Sequence, residues 1–258
     1  MEHHNPLGKS DYLSIQHRER YAFAISCLTP GQQLLDIACG DGYGTVMLSR
    51  YGCNTIGADC DEQTVSGAQI KYPQGSFVRA DVLNIPFEDN SFDAVVSFET
   101  IEHVNDGNRF LSEVHRVLRP SGIFICSTPN IRYTSHPPYH IKEYSPEEFY
   151  ELVQHWFPQA EHHGQYFKSV DRLSDLYRRH IHAHLTTLLD KTNVRKTLKY
   201  LLRPDMKEHR ENPVYYGKED LMIGHTLEEK FNSYYQVRPF VSARRLRIMI
   251  VVAKKEEA

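Results

Sequence analysis

The stretch Leu34-Leu35-Asp36-Ile37-Ala38-Cys39-Gly40-Asp41-Gly42-Tyr43-Gly44-Thr45 constrains this chain more than any other. An apolar run suited to a buried strand meets three closely spaced glycines and then a helical pattern. Glycine removes the side chain where the backbone must turn tightly, and the start of a helix presents unpaired N–H groups. Strand, turn and helix in that order read as a cradle for a ligand carrying a nucleoside. Asp59 closes the next strand, Asn54-Thr55-Ile56-Gly57-Ala58-Asp59, at 59 − 40 = 19 residues past the first glycine. A carboxylate there can accept from both hydroxyls of a ribose.

The same spacing occurs in dinucleotide sites, where an acidic residue follows the glycines by about 20 residues. Those sites use G-x-G-x-x-G, whose third glycine lets helix and strand pack beneath a pyrophosphate. Here the order is G-x-G-x-G, with Asp36 four residues ahead of Gly40, which suits a smaller zwitterionic ligand and argues against a nicotinamide enzyme. Further segments follow in order: Phe77-Val78-Arg79-Ala80-Asp81-Val82, then Phe92-Asp93-Ala94-Val95-Val96-Ser97-Phe98-Glu99-Thr100-Ile101-Glu102-His103, then Glu113-Val114-His115-Arg116-Val117-Leu118-Arg119-Pro120-Ser121-Gly122. With these in place the chain resembles the class I S-adenosylmethionine-dependent methyltransferases over roughly residues 10 to 160. Arg20-Tyr21-Ala22-Phe23-Ala24, the glycine loop and the segment around His140 resemble a bacterial subgroup, type 11, associated with glycan and surface-polysaccharide biosynthesis.

The resemblance implies a Rossmann-like α/β fold: a seven-stranded, mostly parallel sheet with helices on both faces. It implies S-adenosyl-L-methionine as cofactor and methyl transfer as activity, and it assigns roles to residues. Asp36 braces the loop and the methionine amino group. Ala38, Gly40 and Gly42 line the loop where it approaches methionine and ribose, and Asp59 takes the ribose hydroxyls. Cys60 flanks the adenine, Asp81 accepts from the adenine amino group, and Val82 donates a backbone N–H. Phe98 or Glu99 borders the methionine end. Tyr12 and Tyr21 either cover the cofactor or pack in the core, the commoner fate of an aromatic on an amphipathic helix.

Methyl transfer is an in-line displacement, so positioning supplies much of its rate. An alcohol acceptor needs in addition a base matched to the operating pH, and histidine is the natural candidate. His103 follows the fourth strand, where it is read either as that base or as a structural histidine heading the next helix. His140 lies in a loop that ends at Ser145-Pro146, a good N-cap and first helical residue. It serves as the base or hydrogen-bonds Glu143. Glu99, His103 and His140 are the candidate catalytic groups.

Five cysteines, at 27, 39, 53, 60 and 126, lack any CxxC spacing and read as small core residues in a reducing, cytoplasmic setting. The first residues lack an apolar leader-like run, and no run approaches the ~18 apolar residues of a membrane span. A net charge of −3 gives no general reason to expect nucleic acid as a partner. His180 and His184 share a helix face, but without a third ligand they make a poor zinc site, and no metal is read from the sequence.

Strand–helix alternation places strands near 33–38, 54–59, 76–80, 92–98 and 122–128, with helices near 11–28, 43–51, 61–71, 106–118 and 145–156. Residues 1–167 form the core, with a sixth strand near 160–167, and 246–258 supply a closing strand and tail. Between them, 168–245 read as a helical insert that caps the substrate site or makes a homodimer contact. Its stretch 168–210 carries eleven Lys or Arg against five acids, a rim suited to a phosphorylated, carrier-linked sugar as acceptor.

Overall fold

A computed structural model describes residues 12–134, 136–166, 237–239 and 246–257. The first helix, α1 (Tyr12–Ser26), precedes β1 (Gln33–Ile37), α2 (Tyr43–Tyr51), β2 (Asn54–Asp59), α3 (Glu62–Lys71), β3 (Ser76–Arg79) and β4 (Phe92–Phe98). Next come α4 (Gly107–Val117), β5 (Leu118–Pro129), α5 (Pro146–Trp156), β6 (Glu161–Tyr166), β7 (Val237–Pro239) and β8 (Leu246–Lys254). One sheet joins all the strands in the order β3-β2-β1-β4-β5-β8-β6-β7. β1 to β5 are mutually parallel, and β8 runs antiparallel between β5 and β6.

Both faces of the sheet are covered, which is why the strands read as continuous apolar runs rather than alternating ones. Leu35, Val95, Phe124 and Met249 face one cluster with Phe110, Val114, Phe149 and Val153 from α4 and α5. Their neighbours Leu34, Ala94, Ile125 and Ile250 face the other, with Tyr21 and Ile25 from α1 and Leu48 from α2. Each fully buried side chain of this size contributes roughly 1.5–3 kcal/mol. Ser145 caps α5 in a capping box with Glu148, and Pro146 occupies the first turn, as the sequence predicts.

The expected seven-stranded sheet is present, lengthened at its edge by the three-residue β7, which pairs with β6. β7 falls inside the stretch read as helical, so that reading fails at 237–239; residues 168–236 and 240–245 lie outside the described residues. β5 begins at Leu118, earlier than expected, because Leu118 pairs with Phe92 before the register shifts ahead of Ala94. α1 stops at Ser26, and Leu28 is buried in the turn beyond it. Cys39, Cys53 and Cys126 are core residues, whereas Cys60 is exposed.

Candidate active site

β1 connects outward to β2 and β4 connects outward to β5, so the crevice between their carboxyl ends is where the strand order reverses, the place ligands occupy in open α/β sheets. Two non-glycine residues stand there in the left-handed region: Ala38 (φ 61°) after β1 and Glu99 (φ 55°) after β4. Each such conformation costs on the order of 1 kcal/mol, and such strain concentrates at functional sites.

On the β1 side, Asp36 is 1% exposed and accepts from Thr45 Oγ1 at 2.6 Å and Tyr21 Oη at 3.1 Å. Burial pushes its carboxyl up to about 6 against the pull of those two hydroxyls, with the Asp59 charge adding to the rise. Asp59, at the end of β2, accepts from Gly40 N at 3.0 Å and Asp61 N at 3.1 Å, so its carboxylate is fixed at the lip of the glycine loop. Gly40 has φ 55°, and nothing lies within 4 Å of where a Cβ would stand, leaving open space along the loop. Gly42, the N-cap of α2, has φ 82°, and a Cβ there would lie 2.6 Å from the Phe77 ring.

On the β4 side, Glu99 Oε1 accepts from Ser127 Oγ at 2.9 Å and lies 4.0 Å from Nη2 of the buried Arg20. A 3-10 turn, Ile101–His103, then presents Glu102 and His103. Glu102 is 1% exposed: its Oε2 accepts from Thr128 Oγ1 at 2.8 Å, while its buried Oε1 has no hydrogen-bond partner and lies 3.9 Å from His103 Nε2. Burial, and next the Glu99 charge, hold the Glu102 carboxyl well above the usual range. Burial likewise lowers His103. The loop after β5 folds back over this turn, with Ile141 N and Lys142 N donating to the Glu102 main-chain oxygen.

That loop brings His140 edge-to-face against His103, with ring centroids 4.9 Å apart. His103 Nδ1 sits 3.0 Å from the Tyr139 carbonyl oxygen, and His140 Nδ1 sits 2.9 Å from Glu143 Oε1. Burial pushes Glu143 upward, but bonds from Thr134 and His140 and the nearby His136 outweigh it and leave its carboxyl below the usual range. A pocket of about 370 Å³ opens beside His140 and Glu143, lined by Ile131, His136, Pro137, Pro138 and Ile141.

The structure therefore gathers Asp36, Ala38, Gly40, Gly42 and Asp59 at one side of the crevice, and Glu99, His103 and His140 at the other. Cys60 and Asp81 are exposed beyond β2 and β3, and Val82 is buried beside Asp81. Asp81 Oδ1 accepts from Leu83 N at 2.9 Å. Phe98 is 6% exposed and packs edge-on to Tyr21. Tyr21 itself is a core residue at 4% exposure, held against Asp36 and Tyr43, so it braces the loop from within. The Tyr12 side chain lies outside the described residues. Three functional groups escaped the sequence reading: Thr45 and Thr128, which bond the two buried carboxylates, and Glu102. For Glu102 the signal was available in the Glu-x-x-Glu-His spacing, since a short turn after a strand brings the second carboxylate back beneath the first.

This architecture and crevice define an α/β fold of the Rossmann-like methyltransferase kind. A family model described as a methyltransferase domain matches residues 35–126. A probable S-adenosylmethionine-dependent methyltransferase of Mycolicibacterium smegmatis is 38% identical over 156 residues, 57% of this chain and 60% of that protein. A ubiquinone biosynthesis O-methyltransferase of Cereibacter sphaeroides is 30% identical over 188 residues, 68% of this chain and 70% of that one. The crystal structure of a possible histamine N-methyltransferase from Thermotoga maritima superimposes with a TM-score of 0.57 over 94% of this chain and 92% of its own, at 17% identity, a likeness of fold. The chain belongs to the class I S-adenosylmethionine-dependent methyltransferases. It spans 60% of the Mycolicibacterium relative and 47% of two from Mycobacterium tuberculosis.

The residues present fit that family's cofactor. Open space borders Gly40, a carboxylate is fixed beside it at Asp59, and Asp36 locks the loop from beneath. Among the described residues no helix is long and apolar enough to cross a membrane.

Proposed function

We propose that this chain transfers the methyl group of S-adenosylmethionine to an oxygen of a small hydroxylated acceptor, a sugar or glycan precursor being the class favoured by the basic 168–210 segment. The observation that carries the oxygen is the Glu102–His103–His140 cluster at the end of β4. An alcohol holds its proton far above neutral pH, and a cluster of imidazoles beside a buried carboxylate is a means of removing it. When bound, S-adenosylmethionine supplies an electrophilic methyl, whose C–S bond breaks with its electron pair passing to sulfur as the acceptor oxygen forms the new C–O bond. Asp59 binds the ribose hydroxyls, and Asp36 with Thr45 and Tyr21 keeps the glycine loop in place. The acceptor proton leaves through the cluster to solvent, while the pocket beside His140 orients the acceptor. Exposed Tyr139 and Ile141 with Pro137 and Pro138 give that rim an apolar character, which supports a second reading in which the hydroxyl sits on an aromatic ring, in keeping with O-methyl transfer by the Cereibacter relative.

Transfer of labelled methyl to nucleotide-linked sugars, dihydroxy-aromatics and primary amines tests the proposal. His140→Ala is expected to lower kcat on the true oxygen acceptor by about 100-fold or more while leaving cofactor affinity intact. Transfer to an amine alone, at a rate indifferent to His140, would overturn it.

A further inference from the structure

The acceptor-side cluster is arranged as a ligand set. One donor atom from each of Glu102, His103 and His140 lies within 4.8 Å of the other two. Both imidazoles are anchored through Nδ1, His103 by the Tyr139 carbonyl and His140 by the Glu143 carboxylate. Each contact fixes the tautomer with the proton on Nδ1 and leaves Nε2 with its lone pair, the arrangement by which metal-binding histidines are oriented. Thr128 does the same for the carboxylate by occupying Glu102 Oε2. The remaining oxygen, Oε1, is buried, lacks any hydrogen-bond partner and points toward His103 Nε2. A buried carboxylate oxygen without a donor is costly unless something positive sits beside it.

We propose that Glu102, His103 and His140 bind one divalent transition-metal ion, which holds and acidifies the acceptor hydroxyl. Two imidazole nitrogens and one carboxylate oxygen suit zinc or its first-row neighbours better than magnesium, which prefers all-oxygen surroundings. Three protein ligands leave coordination positions open, as catalytic sites require. Ligands of a tetrahedral zinc stand ~3.4 Å apart for bonds of ~2.1 Å, so the donors must draw in by about 1 Å; the two partly exposed imidazoles can supply this by side-chain rotation. A bound hydroxyl gives its proton to solvent and attacks as the alkoxide. Two adjacent hydroxyls, on a sugar or an aromatic ring, could fill two open positions together. The inference rests on the oxygen-acceptor reading above and specifies how the cluster removes the proton.

The test is direct binding of Zn²⁺ and Co²⁺ to the full chain after chelator treatment, read by calorimetry and by the visible bands of Co²⁺. One ion per chain is expected, with His140→Ala weakening Zn²⁺ affinity at least 100-fold. Glu143→Gln, which takes away the charge that anchors His140 and is shared with Thr134 and His136, should weaken it about 10–100-fold. Because Glu102 is in the core, Glu102→Gln is interpreted only where circular dichroism shows a folded chain; His140 and Glu143, on the surface loop, carry the test otherwise. No saturable uptake by wild type, or uptake unchanged in both loop variants, would overturn the cation site. S-adenosylmethionine binding measured in the same metal-free samples separates the two readings: if it persists without any metal uptake, only the cation site falls, whereas its absence removes the methyl-transfer reading.

Discussion

Asp36→Asn isolates the cost of the buried carboxylate beneath the glycine loop. Burial lifts the Asp36 carboxyl from 3.8 to about 6, so folding raises its affinity for a proton. Below pH ~4 the folded and unfolded chains both hold that proton and the group costs nothing. As pH rises toward 6 the unfolded chain ionises first and stability falls, and above 6 the full cost, about 3 kcal/mol, persists. Asparagine keeps the shape and does not titrate. Its one acceptor oxygen can keep the Thr45 bond but only the longer, 3.4 Å contact with Tyr21, and that mismatch is independent of pH and cancels when two pH values are compared. Urea titrations of wild type and variant at pH 4 and pH 8 should therefore show the variant gaining about 2–3 kcal/mol relative to wild type between the two. The corresponding gain in relative Tm is about 5–10 °C for a chain of this size. A difference between the proteins that stays constant to within about 0.5 kcal/mol would refute a raised Asp36, and with it the view that burial penalises the ionised form of this carboxyl.

Gly44→Ala would place a Cβ 2.0 Å from Tyr21 Cζ, forcing apart α1 and α2, so a loss of about 2–4 kcal/mol is expected by chemical denaturation. Asp59→Ala removes the acceptor of Gly40 N and Asp61 N; calorimetry should show S-adenosylmethionine affinity falling about 10–100-fold, and unchanged affinity would count against the ribose role. Ser145→Ala breaks the capping box of α5 and should cost about 1 kcal/mol in thermal melts, with a larger loss showing that the cap also secures the His140 loop.

The strands and helices that frame the glycine loop were legible because they are written locally. An apolar run, glycines and an acidic residue at a fixed distance specify strand, turn and helix within a few tens of residues, and β1, α2 and β2 formed where that pattern placed them. Ser145-Pro146 gave the start of α5 for the same reason. The acceptor side was legible only as a set of candidates. His103 and His140 meet because Ile141 and Lys142 donate to the main chain of Glu102, a contact between distant segments that leaves no spacing signature. Glu102 is marked in the sequence only by the Glu-x-x-Glu-His spacing; its burial comes from β5, through Thr128, and from the returning loop. β7 was missed because three residues are too few to show a period, and its pairing with β6 is set by the fold around it.

The two halves of the site are joined by an element that sequence patterning treats as mere cover. Arg20 and Tyr21 are consecutive on α1 and reach different carboxylates: Tyr21 donates to Asp36 under the cofactor loop, while Arg20 lies within 4.0 Å of Glu99 at the end of β4. Glu99 in turn accepts from Ser127 and adds its charge to the environment of Glu102, so the electrostatics of the acceptor cluster depend on the same helical turn that steadies the glycine loop. Arg20 is held in register by Gln165 of β6, across the sheet from the loop it serves. Gly44 admits the Tyr21 ring where α1 packs against α2, so one helix touches both sides of the crevice.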